Sequence, residues 1–245
     1  MKKKTGRVKT IFEWILLLTL MGSVVFAVIR YINAPDDTLV AEGERLKNDY
    51  LLMIVQCIAG VLVMFLPSVL GKKFKFDIPN YMFVLYYFFL YCAIYLGEVG
   101  SFYYRIPFWD TMLHGMSACM LGALGFSVVF MFNDSPEVSI KLSPLFVGIF
   151  AFCFAVAIGV IWEMYEFTLD SLFEMNMQKY RLETGQQLLG HTALIDTMED
   201  LIVDVAGALL TAVVGSVTLR RRIREASEGN IKGSPADSLI IKKQK

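Results

Sequence analysis

The sequence predicts an all-α membrane protein: a bundle of six transmembrane helices with both termini in the cytoplasm. Hydrophobic residues make up 56% of the 245 residues and charged residues only 19%, whereas a soluble domain is about one-quarter charged. The mean hydropathy is +0.55, and the apolar residues are gathered in six long runs. The formal net charge is zero, so overall charge gives no argument for nucleic acid as a partner.

The six apolar runs are close to the roughly 20 residues that a helix needs to cross a bilayer. They cover residues 11–29, 50–70, 81–97, 111–132, 145–172 and 193–219. The first has Glu13 as its only charge, the second has no charge, and the third is short and rich in Tyr and Phe. Because none alternates with a period of two, the runs do not suit strands of a membrane barrel. A basic cytoplasmic segment, 1–10, precedes this transmembrane domain of residues 11–219, and a flexible basic tail, 220–245, follows it.

Lys and Arg are distributed unevenly around the runs. Seventeen of the 23 lie before the first run, in the second and fourth loops, or in the tail, and six lie in or beside the other loops. Because loops rich in Lys and Arg stay in the cytoplasm, we predict cytoplasmic termini. The expected location is the bacterial inner (plasma) membrane, with membrane lipid around the helices.

Ionisable residues in the last three runs share helix faces, because they follow one another at steps of three or four residues. They are Asp110 and His114 in the fourth run, Glu163, Glu166 and Asp170 in the fifth, and Asp196, Asp200 and Asp204 in the sixth. Under the predicted orientation all lie in the outer half of the bilayer. Tyr95 and Glu98 add polar groups from one face of the third run. Small residues continue the same faces and would let the helices approach closely: Ala118, Gly122 and Gly125 in the fourth run, and Gly207, Thr211 and Gly215 in the sixth.

Several carboxylates in a low-dielectric interior cannot all stay ionised without compensation. A bound metal ion, protonation, or a water-filled vestibule would each resolve this, and the sequence leaves the three open. Mixed nitrogen and oxygen donors suit a divalent cation such as Zn²⁺, Mn²⁺ or Mg²⁺. A divalent metal ion is therefore one candidate cofactor, with water activation as one of its roles, and the sequence leaves the cofactor undecided. The predicted metal ligands are Asp110, His114, Asp200 and Asp204, the predicted acid–base residues are Glu163 and Glu166, and the supporting residues are Tyr95, Glu98, Asp170 and Asp196.

Simpler interpretations stay open for some of these residues. Asp110 and Asp196 stand near helix starts, where a carboxylate caps the helix. Asp170, Glu199 and His191 would be solvated if they lie at the membrane surface. The remaining polar groups would be structural if they only hydrogen-bond between helices.

The ordered patterns Asp110-x-x-x-His114-Gly115, Glu163-x-x-Glu166 and Asp196-x-x-x-Asp200-x-x-x-Asp204-x-x-Gly207 resemble the YjdF-like family of predicted bacterial inner-membrane proteins. The resemblance covers roughly residues 80–216. More distantly the chain is similar to the VanZ-like family, whose members are associated with glycopeptide resistance and the cell envelope. The resemblance implies a small polytopic protein in which these positions matter, and it implies no particular reaction.

Three functions remain after the sequence is read. The first is metal-dependent modification or hydrolysis of a lipid-linked or cell-wall substrate at the acidic site. The second is a transporter coupled to protons or cations, and the third is a membrane scaffold or sensor without catalysis. Whether the protein is an enzyme, which substrate it takes, its oligomeric state and the role of the loop 174–192 stay undecided.

Overall fold

The computed structural model describes residues 2–34, 40–41, 44–74, 78–133 and 142–227. Most residues in these ranges are helical, and the ranges contain no β-strand, with one isolated bridge between Arg181 and Gln187. The α-helices are α1 (Lys2–Asn33), α2 (Lys47–Val63), α3 (Leu66–Phe74), α4 (Asn80–Leu90), α5 (Phe102–Arg105), α6 (Trp109–Asn133), α7 (Pro144–Phe173) and α8 (Ile195–Ser227). A π-helix, Tyr91–Val99, follows α4, and a 3₁₀-helix, Gly190–Leu194, precedes α8.

Six helical segments are long and apolar enough to cross a membrane. They are Gly6–Asn33, Lys47–Lys73, Asn80–Val99, Trp109–Phe130, Pro144–Phe173 and Gly190–Glu225, numbered here as spans one to six. The predicted class of a six-helix membrane protein is therefore confirmed. Its orientation across the membrane stays a prediction.

The third span changes its helical form partway along. It is α-helical as far as Leu90 and π-helical from Tyr91, and the amide of Gly100 donates to the carbonyl of Tyr95 at 2.8 Å. π-Helical turns are rare and are often found at functional sites. The α-helical spacing that placed Tyr95 and Glu98 on one face does not apply to this segment.

The structure contains two compact units. The first unit consists of Met1–Leu113 and Trp162–Asp200. Helix α1 packs against α2 and α4 there. The buried side chains of this core are Leu16, Leu20, Ala27, Tyr50, Met53, Cys57, Met64, Phe83, Tyr87, Leu90 and Ile94.

Residues 174–189, which we name the loop cap, form a folded segment within the first unit. Asn176 is almost fully buried, and its side chain donates to the carbonyl of Arg181 at 2.8 Å and accepts from the amide of the same residue at 3.1 Å. Met175 and Met177 pack against Leu52 of α2. The loop left undecided by the sequence is thus neither a helix nor a bare connector but a packed cap.

The second unit consists of His114–Ile161 and Leu201–Lys245. Phe126, Val129, Val147, Ala151 and Leu219 form its buried apolar core. Small residues bring its helices together, as close packing in membranes requires.

The close approaches in the second unit follow the small residues of the sequence. A Cβ at Gly207 of α8 would lie 2.9 Å from Cβ of Ala118 on α6, and a Cβ at Gly122 would lie 2.9 Å from the Thr211 side chain. At these positions the small residues of the fourth and sixth spans lie where α6 and α8 approach each other closely. Gly125 instead approaches Ala151 of α7, with a Cβ expected 2.8 Å from its Cα.

Candidate functional site

The C-terminal half of helix α7 buries its acidic residues and exposes the apolar residues beside them. Glu163 and Glu166 are 5% and 7% exposed, whereas Met164 and Phe167, which follow them directly, are 63% and 62% exposed. This is the reverse of a soluble helix and is expected where lipid covers the outer face and ionisable groups face the protein. The step from Glu163 to Glu166 and on to Asp170 keeps all three carboxylates on one buried face.

Asp170, at the end of this face, accepts two backbone hydrogen bonds from the loop cap. The amides of Met177 and Gln178 donate to its two carboxylate oxygens at 2.8 and 2.9 Å. The interpretation of Asp170 as a solvated residue is therefore wrong, because the loop cap folds back over it. Glu199 and His191 are exposed, as that interpretation expects.

Helix α8 carries its acidic residues at intervals of one turn. Asp200 and Asp204 are buried, whereas Asp196 is half-buried near the helix start. The buried face continues through Gly207 and Ala208. The sequence spacing thus identified the inward face of α8 correctly.

Two pairs of polar residues, one from α6 and one from α8 in each pair, lie close together. In the first unit, carboxylate oxygens of Asp110 and Asp200 lie within 4.8 Å of each other. In the second unit, Nδ1 of His114 lies 3.4 Å from Oδ1 of Asp204. We name these the first rung (Asp110 and Asp200) and the second rung (His114 and Asp204). On α6 the residues of the two rungs are one helical turn apart in sequence, and the same is true on α8. The residues predicted as metal ligands are therefore the residues that form the rungs.

The backbone of α7 leaves room for the Asp204 side chain. Gly159 faces it, and a Cβ at that position would overlap the carboxylate of Asp204, with Cγ only 3.1 Å away. Any larger residue at Gly159 would therefore displace this carboxylate from the second rung.

Lys179 of the loop cap supplies a positive charge to the first rung. Its Nζ lies 3.7 Å from Oδ2 of Asp110. Burial lowers the pKa of Lys179, but the acidic groups around it, above all Asp110, outweigh burial and hold this pKa well above its usual range. The other groups are Tyr104, Asp196 and Glu166.

Lys179 is therefore cationic at neutral pH and compensates part of the acidic charge. Sequence reasoning considered metal, protonation and water, and missed this fourth contribution. Lys179 has no periodic relation to Asp110. The only sequence signal for this role was that few Lys or Arg residues lie in or beside the first, third and fifth loops, and Lys179 is one of them.

Six Lys and Arg residues lie in or beside the first, third and fifth loops, and each of them makes a contact or lines a cavity in the first unit. Arg181 forms a buried ion pair with Asp49 at 2.8 Å, and Arg45 binds the carbonyl of Glu98 at 2.7 Å. Arg30 donates to the phenol of Tyr50, Lys47 stands over the ring of Tyr31, Arg105 lines a cavity, and Lys179 contacts Asp110.

Glu98 and Tyr95, predicted as supporting residues, are held by neighbours in the first unit. The Glu98 carboxylate lies 3.8 Å from Nη1 of Arg45 and is buried. The ring of Tyr95 lies 4.9 Å from that of Tyr91, centroid to centroid. The structure thus gives Glu98 an ion pair with Arg45, and its supporting role stays a prediction.

The helices and their buried polar faces define a multi-pass helical membrane protein. The sequence model of one family, described as a predicted membrane protein (DUF2238), matches residues 12–221. The chain belongs to this family.

The chain is also similar to an uncharacterised protein of Thermotoga maritima, with 28% identity over 122 residues. The matched segment is 49% of this chain and 53% of that protein, so it spans about half the length of this relative. No solved structure matches the chain.

Proposed function

We propose that the predicted metal ligands, Asp110, His114, Asp200 and Asp204, bind a divalent cation that the protein uses to modify or hydrolyse a lipid-linked or cell-envelope substrate. The observation that carries the proposal is the pairing of Asp110 with Asp200 and of His114 with Asp204 on the same two helices. Three carboxylates and one imidazole are a donor set that divalent cations such as Mn²⁺, Mg²⁺ or Zn²⁺ accept.

Glu163 and Glu166 are the proposed acid–base residues. Both are buried on the inward face of α7, where a carboxylate can accept a proton from water and return it to a leaving group. A bound divalent cation would supply Lewis-acid polarisation of the substrate or of water.

The substrate class and the location rest on resemblance and composition. The family resemblance of the ordered motifs extends through the YjdF-like proteins to the VanZ-like proteins, and the latter are associated with the cell envelope. The excess of Lys and Arg at the termini and even-numbered loops favours an inner-membrane location with the site facing outward.

Cation binding tests the proposal directly. Full-length protein in a mild detergent is titrated with Mn²⁺ by calorimetry, beside Asp200→Asn, Asp204→Asn and Glu199→Gln. Glu199 is the matched control, because it is an exposed carboxylate directly before Asp200. We expect one Mn²⁺ per chain, at least about tenfold weaker binding in the two Asn variants, and no change for Glu199→Gln.

A wild-type protein that binds no divalent cation, or Asn variants that bind as well as wild type, would refute the cation site. Glu163→Gln separates cation binding from chemistry. We expect it to retain Mn²⁺ but fail to restore resistance to cell-envelope stress in cells lacking the gene. Normal function of Glu163→Gln would remove the acid–base role and leave only a binding protein.

A further inference from the structure

We propose that a cavity in the first unit binds a phosphate group, carried either by a membrane lipid or by free phosphate. The cavity has a volume of about 110 Å³ and lies among the first loop, the third loop and the loop cap. Its polar walls are Arg45, Tyr50, Ser101, Arg105 and Glu183. None of these residues belongs to the two rungs, so the inference does not rest on the proposed cation site.

Arg45 provides a buried cation on the wall of this cavity. Its side chain is only 10% exposed, and Nη2 donates to the Glu98 carbonyl at 2.7 Å and to the Ser101 hydroxyl. Nη1 makes no hydrogen bond to any residue that the structure describes, and the Glu98 carboxylate at 3.8 Å is beyond hydrogen-bond distance. Arg45 lines the cavity, and its buried positive charge favours an anion there.

Two further arginines strengthen the positive potential at the cavity. Arg105 lines it directly and is exposed. Arg30 donates through Nε and Nη2 to the phenol oxygen of Tyr50, at 3.2 and 3.1 Å. The phenol oxygen accepts these two bonds, and a phenol O–H is a donor suited to an anion. Against these three cations stand the carboxylates of Glu183, on the cavity wall, and Glu98.

The donors on the cavity wall suit a phosphate group. Guanidinium groups bind phosphate oxygens through paired N–H donors. Ser101 and Tyr50 add hydroxyl donors of the kind that complete phosphate sites.

The apolar part of the cavity wall connects the site to the lipid phase. Phe26 of α1 lines the cavity and is 48% exposed, on a span whose outward face also exposes Val25 and Ile29. A lipid could therefore place its phosphate at the arginines and its acyl chains along α1. This geometry makes a lipid phosphate the expected source.

The test is a calorimetric titration of the full-length protein in maltoside detergent, which contains no phosphate. The probes are dioctanoyl phosphatidic acid, inorganic phosphate and, as the control without phosphate, dioctanoylglycerol. The variants are Arg105→Gln, which removes an exposed charge without disturbing the buried contacts of Arg45, and Arg222→Gln, an exposed arginine of α8 as the matched control.

We expect saturable binding of phosphatidic acid, a loss of at least about tenfold in affinity for Arg105→Gln, unchanged affinity for Arg222→Gln, and no binding of dioctanoylglycerol. Inorganic phosphate that competes weakly supports a lipid source, and inorganic phosphate that binds as tightly as the lipid supports a free-phosphate source.

Absence of saturable binding by either phosphate probe would overturn the proposal. So would equal losses in Arg105→Gln and Arg222→Gln, which would mean diffuse electrostatic attraction to anionic lipid. Because Mn²⁺ binding is measured separately, failure of the phosphate site leaves the cation site untouched, and the reverse also holds.

Discussion

Two arginine–carboxylate pairs of nearly equal length differ in their surroundings. Arg181 and Asp49 lie 2.8 Å apart with side chains 7% exposed, whereas Arg221 and Glu225 lie 2.7 Å apart with side chains 74% and 41% exposed. By distance alone, the two pairs would be expected to stabilise the protein equally. Burial makes the first pair much more costly to break, because removing one partner leaves an uncompensated charge away from water.

We predict that Arg181→Ala destabilises the protein by about 3–5 kcal/mol and that Arg221→Ala changes stability by about 1 kcal/mol or less. Thermal unfolding in detergent, followed by tryptophan fluorescence, gives both values on the same scale. Equal shifts in the two melting temperatures would show that the loop cap does not depend on the Asp49 pair.

Gly159 offers a way to move one carboxylate without changing any charge. A Cβ there would overlap the carboxylate end of Asp204, and such a flexible end can rotate away at little cost. We predict that Gly159→Ala keeps the wild-type melting temperature within a few degrees and weakens Mn²⁺ binding about tenfold. Gly22→Ala is the matched control, since a Cβ at Gly22 meets no atom within 4 Å. Unchanged Mn²⁺ binding in Gly159→Ala would argue against Asp204 as a ligand.

Helices α6 and α8 form the element on which both rungs depend. Gly207 meets Cβ of Ala118 at 2.9 Å and the carbonyl oxygen of Gly115 at 3.1 Å, measured from an ideal Cβ. Backbone cannot rotate away as the end of a side chain can, so a larger residue must separate the helices. The precision of the second rung therefore depends on a glycine one turn beyond it.

We predict that Gly207→Val lowers stability by about 1–3 kcal/mol and also weakens Mn²⁺ binding, because the helices separate near the second rung. Ala206→Val, the preceding residue on the exposed side of α8, should leave both quantities unchanged. The measurements are the melting temperature and the calorimetric affinity. If the two valine variants behaved alike, the packing of α6 against α8 would not position the site.

The regular helices could be predicted from sequence, and the loop cap could not. The spacing of Glu163, Glu166, Asp200 and Asp204 identified inward faces because a helix repeats every 3.6 residues. The partner of Asp49 lies 132 residues away in sequence, in a segment without periodicity. Such contacts depend on the path of an irregular chain, which local pattern does not encode.

The π-helix could not be predicted from the sequence, for a related reason. Tyr91–Val99 is as apolar and aromatic as the α-helix before it, so composition and periodicity give no sign of the change. The difference lies in the backbone hydrogen bonds, such as that from Gly100 to Tyr95. The predicted grouping of Tyr95 with Glu98 used α-helical spacing and for that reason does not describe their geometry.

At the scale of the whole molecule, the first, third and fifth loops contact one another within the first unit. The segments between spans one and two, three and four, and five and six must lie on one side of a membrane that the six spans cross in turn. Within the first unit these segments are tied together by Arg45 with Ser101 and by Asn176 with Tyr104. The phosphate cavity and Lys179, which contacts Asp110 of the first rung, belong to these segments or their ends, so the orientation of this side decides which compartment can supply a substrate.

Cysteine labelling in intact bacterial cells determines that orientation. We predict that Leu189→Cys, at a position 79% exposed in the loop cap, reacts with a membrane-impermeant maleimide in intact cells. Lys72→Cys, at the exposed end of α3, should react only after permeabilisation, because Lys and Arg favour the cytoplasmic side there. Wild-type protein is the control for the native cysteines, of which Cys57 and Cys92 are buried. The reversed pattern would place both termini outside and the rungs on the cytoplasmic side. In that case an envelope substrate approaching from outside would be excluded. Cation and phosphate binding would not be affected by this result, because each is tested by its own titration.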